Sequence, residues 1–111
     1  MRTIQASLIF HAIYDDINGF KVSSRAKKNN QKPNAKSKFL YGEIPFVTWD
    51  VMVRKANPKK DGVFFDLGSG TGKAPILSHL LFDFKKSIGV EFLEGLHDAA
   101  REASEEIEKY A

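Results

Sequence analysis

Three glycines at alternate positions form the stretch of this chain best suited to binding a ligand. They lie in the segment Asp66-Leu-Gly-Ser-Gly-Thr-Gly72, which follows the apolar run Val63-Phe-Phe and precedes Lys73-Ala-Pro-Ile-Leu. The apolar run predicts a buried strand and the segment after the glycines predicts a helix. Glycine permits positive φ, and it lacks the Cβ atom that would keep a ligand away from the backbone. The segment therefore predicts a binding site for a nucleoside-bearing cofactor.

The spacing of the glycines distinguishes three kinds of nucleotide site. A Walker A loop fails twice, because Leu67 stands where its first glycine belongs and Ala74 replaces the magnesium-binding hydroxyl. A dinucleotide fingerprint fits at Gly68 and Gly70, but Lys73 stands at its third glycine position. The pattern that fits is Asp-x-Gly-x-Gly-x-Gly. This pattern resembles motif I of the class I S-adenosylmethionine-dependent methyltransferases.

A second acidic residue supports a nucleoside site. The run Ser87-Ile-Gly-Val-Glu91 predicts another strand that ends at Glu91, 19 residues after Gly72. An acid about 20 residues beyond such a loop is placed to accept hydrogen bonds from ribose hydroxyls. We therefore expect Glu91 to bind a ribose, whereas the alternative is that Asp66 and Glu91 are solvated loop acids.

The order of these segments along the chain resembles the disruptor-of-telomeric-silencing family of histone-lysine methyltransferases. Tyr41-Gly-Glu43 precedes a predicted helix, and the loop and Gly89-Val-Glu91 follow it. The resemblance covers about residues 40–110. It implies that the Tyr-Gly-Glu segment folds over the methionine part of S-adenosylmethionine, and that motif I lies beneath the cofactor.

The resemblance also implies which residues contact the cofactor. Glu43 or Asp66 would bind its amino group, and Lys73 or the amides that begin the next helix would bind its carboxylate. No catalytic residue is assigned, because the family's Asn-rich catalytic loop follows later strands that this sequence lacks. The implied cofactor-binding residues are Tyr41, Glu43, Asp66, Gly68, Ser69, Gly70, Gly72, Lys73, Glu91 and Phe92, with Phe92 near the adenine.

The predicted fold class is α/β, a truncated Rossmann-like methyltransferase fold of two parallel strands with flanking helices and an additional N-terminal helix. One hundred and eleven residues are too few for seven strands, and parallel sheets need cover on both faces. We therefore expect either a fragment or a homo-oligomer that completes the sheet. The predicted strands are residues 62–66 and 87–91, and the predicted helices are residues 3–18, 45–56, 73–82 and 92–110.

Charge is distributed unevenly along the chain. Residues 1–60 contain 12 Lys/Arg and 4 Asp/Glu, whereas residues 61–111 contain 5 and 10. The segment Lys21–Lys38 is basic, without acids and with few apolar residues, so we expect a flexible linker. It is also a candidate electrostatic arm for nucleic acid. The predicted divisions are an N-terminal helix (1–20), a basic linker (21–39) and a partial cofactor-binding domain (40–111).

Composition limits the function classes further. The chain has no cysteine, and we predict neither a disulfide framework nor a metal site. No apolar run approaches the length of a membrane span, so we expect a soluble, intracellular protein without membrane contact. The leading hypothesis is a protein-lysine methyltransferase, or its cofactor-binding portion, that acts on a histone or another lysine-bearing protein. The alternatives are a nucleic-acid or small-molecule methyltransferase of the same fold, and a non-catalytic binding module.

Overall fold

Two parallel strands and five α-helices make up the described part of the chain. The computed structural model describes residues 2–29 and 42–110. Within these ranges no helix is both long and apolar enough to cross a membrane. The elements confirm the predicted α/β class with two parallel strands. In order they are α1 (Arg2–Tyr14), α2 (Gly19–Asn29), α3 (Phe46–Ala56), β1 (Val63–Leu67), α4 (Lys73–Leu81), β2 (Lys86–Val90), α5 (Glu94–Ile107) and a 3₁₀ turn (Glu108–Tyr110).

The two strands bring the glycine segment to the end of the neighbouring strand. β1 and β2 pair in parallel, with Val63 opposite Lys86 and Leu67 opposite Val90. The chain therefore leaves both strands at the same edge of the sheet. There the N–H groups of Gly68 and Ser69 donate to the carbonyl oxygen of Val90, at 2.7 and 3.0 Å. These bonds anchor the start of the glycine loop, residues 68–72, to β2.

The two faces of the sheet have different surroundings. One face is covered by α4, whose Ile76, Leu77 and Leu81 are buried in the main core. On the other face the side chains of Phe65 and Leu67 are 60% and 82% exposed. Because parallel sheets are normally buried on both faces, this open face is unusual for the strand type.

The N-terminal helix α1 packs on α4 through a face that the sequence predicts only in part. The near-helical spacing of Ile4, Leu8, Ile13 and Ile17 predicts one apolar stripe. Ile13 is buried and Ile17 packs against the core, but Ile4 and Leu8 are exposed. The helix ends at Tyr14 and not at residue 18. The large aromatic rings of Phe10 and Tyr14 enter the core and rotate those aliphatic residues outward. The buried residues of α1 are Ala6, Phe10, Ile13 and Tyr14.

The predicted flexible linker was wrong for residues 21–29, which belong to α2. Asn18 was interpreted as the end of a helix, but its side-chain oxygen accepts a hydrogen bond from Lys21 N–H at 3.1 Å. This is an N-cap contact, so Asn18 begins α2. Val22 then packs against the buried Leu93 and Leu96. Residues 30–39 of the predicted linker lie outside the described residues, and the division of the chain into three regions stays a prediction.

Candidate functional site

The glycine loop adopts a backbone conformation that requires glycine. Gly68, Gly70 and Gly72 have φ angles of 85°, 58° and 88°. Residues with a Cβ atom rarely adopt this region, at a cost of about 1–2 kcal/mol each. The predicted need for positive φ is confirmed, and the three glycines let the chain turn from β1 directly into α4.

The first and last glycines of the loop have different neighbours. A Cβ atom added to Gly68 would have no atom within 4 Å. A Cβ atom added to Gly72 would lie 3.0 Å from Ala100 Cβ and 3.3 Å from the Tyr14 hydroxyl. Gly68 therefore leaves bare backbone facing open space, whereas Gly72 allows α1 and α5 to approach the loop closely.

Glu91 connects the glycine loop to the start of α5. Its Oε1 atom accepts a hydrogen bond from Gly70 N–H at 2.8 Å, and its Oε2 atom accepts one from Leu93 N–H at 3.0 Å. Leu93 is the N-cap residue of α5. Since each carboxylate oxygen has two lone pairs, Glu91 retains capacity to accept further hydrogen bonds.

An ion pair joins the segment before α3 to the first turn of α4. Lys73 Nζ donates to Glu43 Oε1 at 2.7 Å, and both side chains are largely shielded from solvent. The same ammonium lies 5.5 Å from the centre of the Tyr14 ring and 6.0 Å from that of Phe10. Lys73 is therefore positioned by an acid on one side and by aromatic faces on the other.

A cavity of 210 Å³ lies between the ion pair and the glycine loop. Its charged walls are Glu43, Asp66 and Lys73, and Trp49 and Leu77 contribute apolar surface. Burial, and secondly the charge of Glu91, raise the pKa of Asp66 above its ordinary value. With two acids and one lysine in its walls, the cavity favours a ligand that carries positive charge.

Most of the predicted cofactor-binding residues lie around this one cavity. Gly72 lies behind the loop, against α1 and α5. As far as the described residues define its walls, the cavity does not include Glu91 or the exposed Phe92. Tyr41 lies outside the described residues. The predicted residues that line the cavity are Glu43, Asp66, Gly68, Ser69, Gly70 and Lys73.

Helix α1 contributes to this region, and its own sequence does not predict that contribution. The Tyr14 hydroxyl donates to the carbonyl oxygen of Thr71 at 2.8 Å, across 57 residues of chain. Phe10 and Tyr14 are four residues apart with ring centres 5.0 Å from each other, a spacing that indicates one helix face. No local pattern identifies the distant loop against which this face packs.

Trp49 combines a packing role with a place in the cavity wall. Its ring lies edge-on to Phe64, with ring centres 5.8 Å apart, and its Nε1–H donates to Ser78 Oγ at 3.1 Å. Through these contacts Trp49 packs against the main core. Its ring also lines the cavity, so it reports on any ligand there.

Comparison with known proteins places these features in a family. A family model described as "Histone methylation protein DOT1" matches residues 19–111. A protein of Kluyveromyces lactis named "Histone-lysine N-methyltransferase, H3 lysine-79 specific" is 34% identical over 64 residues, which are 58% of this chain and 11% of the relative. The chain thus matches about one tenth of that relative's length. No solved structure matches this chain.

Proposed function

Since the chain belongs to the DOT1 histone methylation family, we propose that it binds S-adenosylmethionine and supplies the cofactor site of a protein-lysine methyltransferase. The observation that carries the proposal is the cavity in which the Glu43–Lys73 ion pair and Asp66 face the bare backbone of Gly68. Both charge and shape there are suited to this cofactor.

The ion pair is suited to the amino-acid end of the cofactor. That end carries an ammonium and a carboxylate, whose charges are complementary to those of Glu43 and Lys73. The cofactor's ammonium would bind Glu43 and its carboxylate would bind Lys73, so each of these partly buried charges would exchange one partner for another. Charge-assisted hydrogen bonds of this kind are among the stronger polar contacts in proteins.

Asp66 and the glycine backbone complete the proposed selectivity. Asp66 adds negative charge to the cavity, which favours a sulfonium-bearing ligand and opposes a triphosphate. At Gly68 the missing Cβ lets a ligand approach the backbone without displacing a neighbour. Glu91, with acceptor capacity left after its two backbone bonds, is proposed to bind the ribose hydroxyls, and Phe92 is proposed to lie near the adenine.

The chemistry follows from the ligand more than from the protein. When bound, S-adenosylmethionine supplies an activated methyl group for displacement by a nucleophile. The residues of this chain bind and orient it, and they shield its charged end from water. Family membership, together with the lysine-79 histone specificity in the name of the Kluyveromyces relative, supports a histone lysine as acceptor. Nucleic-acid binding through residues 21–38 and self-association remain predictions.

A fluorescence titration tests the proposed cofactor. Trp49 is the sole tryptophan and lines the cavity, so its emission should change on addition of S-adenosylmethionine or S-adenosylhomocysteine. Lys73→Met should weaken binding about ten-fold or more, because a partly buried charged partner is lost. Lys59→Met, a change of the same chemistry at an exposed residue that does not line the cavity, is the matched control.

A titration with magnesium-ATP and an assay of methyl transfer distinguish the competing functions. Tight binding of magnesium-ATP that depends on Lys73, or no response to either adenosyl ligand, would contradict the proposal. Transfer of labelled methyl groups to histone H3 would support an enzyme, and transfer to RNA or DNA instead would support the nucleic-acid alternative. Cofactor binding without any transfer would support a cofactor-binding portion.

A further inference from the structure

We propose that Tyr14 is a positioning residue for the cofactor loop, through which α1 completes the site from its buried side. The inference rests on the proposed function and extends it to a helix that precedes residue 19, where the family match begins. The feature that carries it is the hydrogen bond between the Tyr14 hydroxyl and the loop backbone.

The bond fixes the orientation of one peptide in the loop. Tyr14 and Thr71 are 3% and 1% exposed, and the hydroxyl donates to the Thr71 carbonyl oxygen at 2.8 Å. A buried carbonyl needs a partner, so the peptide between Thr71 and Gly72 resists any rotation that would break this bond. Its orientation determines where α4 begins, because Gly72 is the N-cap residue of that helix.

Close packing restricts the same peptide. Gly72 lies between the Tyr14 hydroxyl and Ala100 of α5, with φ of 88° and no room for a side chain. Its N–H donates to the Ser69 carbonyl oxygen, and its own carbonyl oxygen accepts from Ile76 N–H, both at 3.0 Å. The loop therefore closes on itself while α1 and α5 contact its buried side.

The Tyr14 bond is the counterpart of the Glu91 bond. Glu91, which follows β2, accepts from Gly70 N–H. Tyr14, in α1, donates to the carbonyl oxygen of Thr71, one residue further along the loop. With one anchor on each side, the backbone of residues 70–72 is fixed before a ligand arrives. Prior ordering of this kind lowers the entropy lost on binding.

Helix α1 also contacts both ends of the proposed amino-acid site. The rings of Phe10 and Tyr14 face the Lys73 ammonium. Phe10 lies against Phe46, the first residue of α3, with ring centres 5.7 Å apart. The segment that carries Glu43 leads directly into α3. Helix α1 therefore contacts Lys73 itself and the helix that follows Glu43.

The test compares Tyr14→Phe with a matched control. Tyr14→Phe removes only the hydroxyl, and Tyr110→Phe removes the same group from a half-exposed residue of the C-terminal 3₁₀ turn. We expect Tyr14→Phe to raise the dissociation constant for S-adenosylhomocysteine about ten-fold. Tyr110→Phe should leave it unchanged.

A second readout uses the ligand-free protein and so does not depend on the cofactor assignment. In Tyr14→Phe, the amides of Gly70 and Gly72 should exchange hydrogen about ten-fold faster, while Val22 in α2 keeps its wild-type rate. Failure of the wild type to bind S-adenosylhomocysteine would reject the proposed function, yet amide exchange would still decide whether Tyr14 orders the loop. Unchanged exchange at Gly70 and Gly72 would overturn the inference. So would loss of the fold, or faster exchange that includes Val22, because either shows a general stabilising role.

Discussion

Gly68 and Gly72 have nearly the same backbone conformation and opposite surroundings. Their φ angles are 85° and 88°, yet a Cβ atom would meet open space at Gly68 and two side chains at Gly72. The cavity side of the loop is thus left bare for a ligand, whereas its buried side is packed by α1 and α5. Glycine gives a ligand access to the backbone at Gly68 and allows close helix packing at Gly72. The spacing of the glycines in the sequence does not show which role each one has.

The largest effect expected from this comparison is the difference in stability between two alanine variants. Gly72→Ala should lower the free energy of unfolding by about 2–5 kcal/mol, because left-handed strain adds to overpacking against Ala100 and Tyr14. Gly68→Ala adds strain alone and should cost about 1–2 kcal/mol. Urea denaturation followed by circular dichroism measures both values.

Ligand binding should reverse that order. A methyl group at Gly68 projects toward the proposed cofactor surface, so S-adenosylhomocysteine affinity should fall in Gly68→Ala while the protein stays folded. Equal losses of stability in the two variants would contradict the distinction between a bare and a packed side.

A smaller effect is expected at the anchor that joins the loop to β2. Glu91→Ala removes the acceptor of two backbone N–H groups, and such charge-assisted bonds contribute about 1.5–3 kcal/mol. Glu91→Gln has the same shape and keeps one acceptor oxygen, so it should retain part of this stability. Cofactor affinity should fall about ten-fold or more in Glu91→Ala. An unchanged dissociation constant in the folded variant would reject the ribose assignment and leave Glu91 a purely structural anchor.

The smallest effect is expected at Asp66, and it depends on pH. Because burial raises the pKa of Asp66 above 3.8, the folded protein binds more protons than the unfolded chain between 3.8 and that higher value. Stability contributed by this group is therefore lost as pH rises through that interval. Asp66→Asn cannot ionise, so without ligand it should be more stable than the wild type at pH 7. That advantage should shrink as pH falls towards 4.

Thermal unfolding of Asp66→Asn and the wild type at several pH values measures this difference. The affinity of Asp66→Asn for S-adenosylmethionine should be lower than that of the wild type, because the variant lacks a negative charge facing this cationic ligand. An Asp66→Asn protein that is less stable at pH 7, with a gap that does not depend on pH, would show that the carboxylate makes a favourable contact in the ligand-free state.

The sequence predicted the region from α3 to α5 because its signals are local. Pro45 precedes a helix, the apolar runs give the strands, and the glycines give the turn between β1 and α4. The two strand ends meet as expected because parallel strands leave the sheet at the same edge. These features depend on neighbouring residues and on the geometry of a single βαβ unit.

The N-terminal region was harder to predict because its structure depends on distant partners. Asn18-Gly19 is equally typical of a helix end and a helix start, and the capping bond to Lys21 decides between them. Composition alone favoured a linker, because the four basic residues of α2 outweigh the apolar Val22. The partners of Val22, Leu93 and Leu96, lie more than 70 residues away at the start of α5. The bond from Tyr14 to Thr71 likewise has no counterpart in any short pattern.

The open face of the sheet has a consequence for the solubility of the chain. Phe65, Leu67 and Val90 present a continuous, water-facing hydrocarbon surface on strands with high β-propensity. Exposed apolar surface of this kind favours contact between molecules, so we expect the solubility of the chain to depend on this face. Leu67→Thr replaces the most exposed of these three residues with a β-branched, hydroxyl-bearing residue, so it should raise solubility while keeping a side chain suited to a strand.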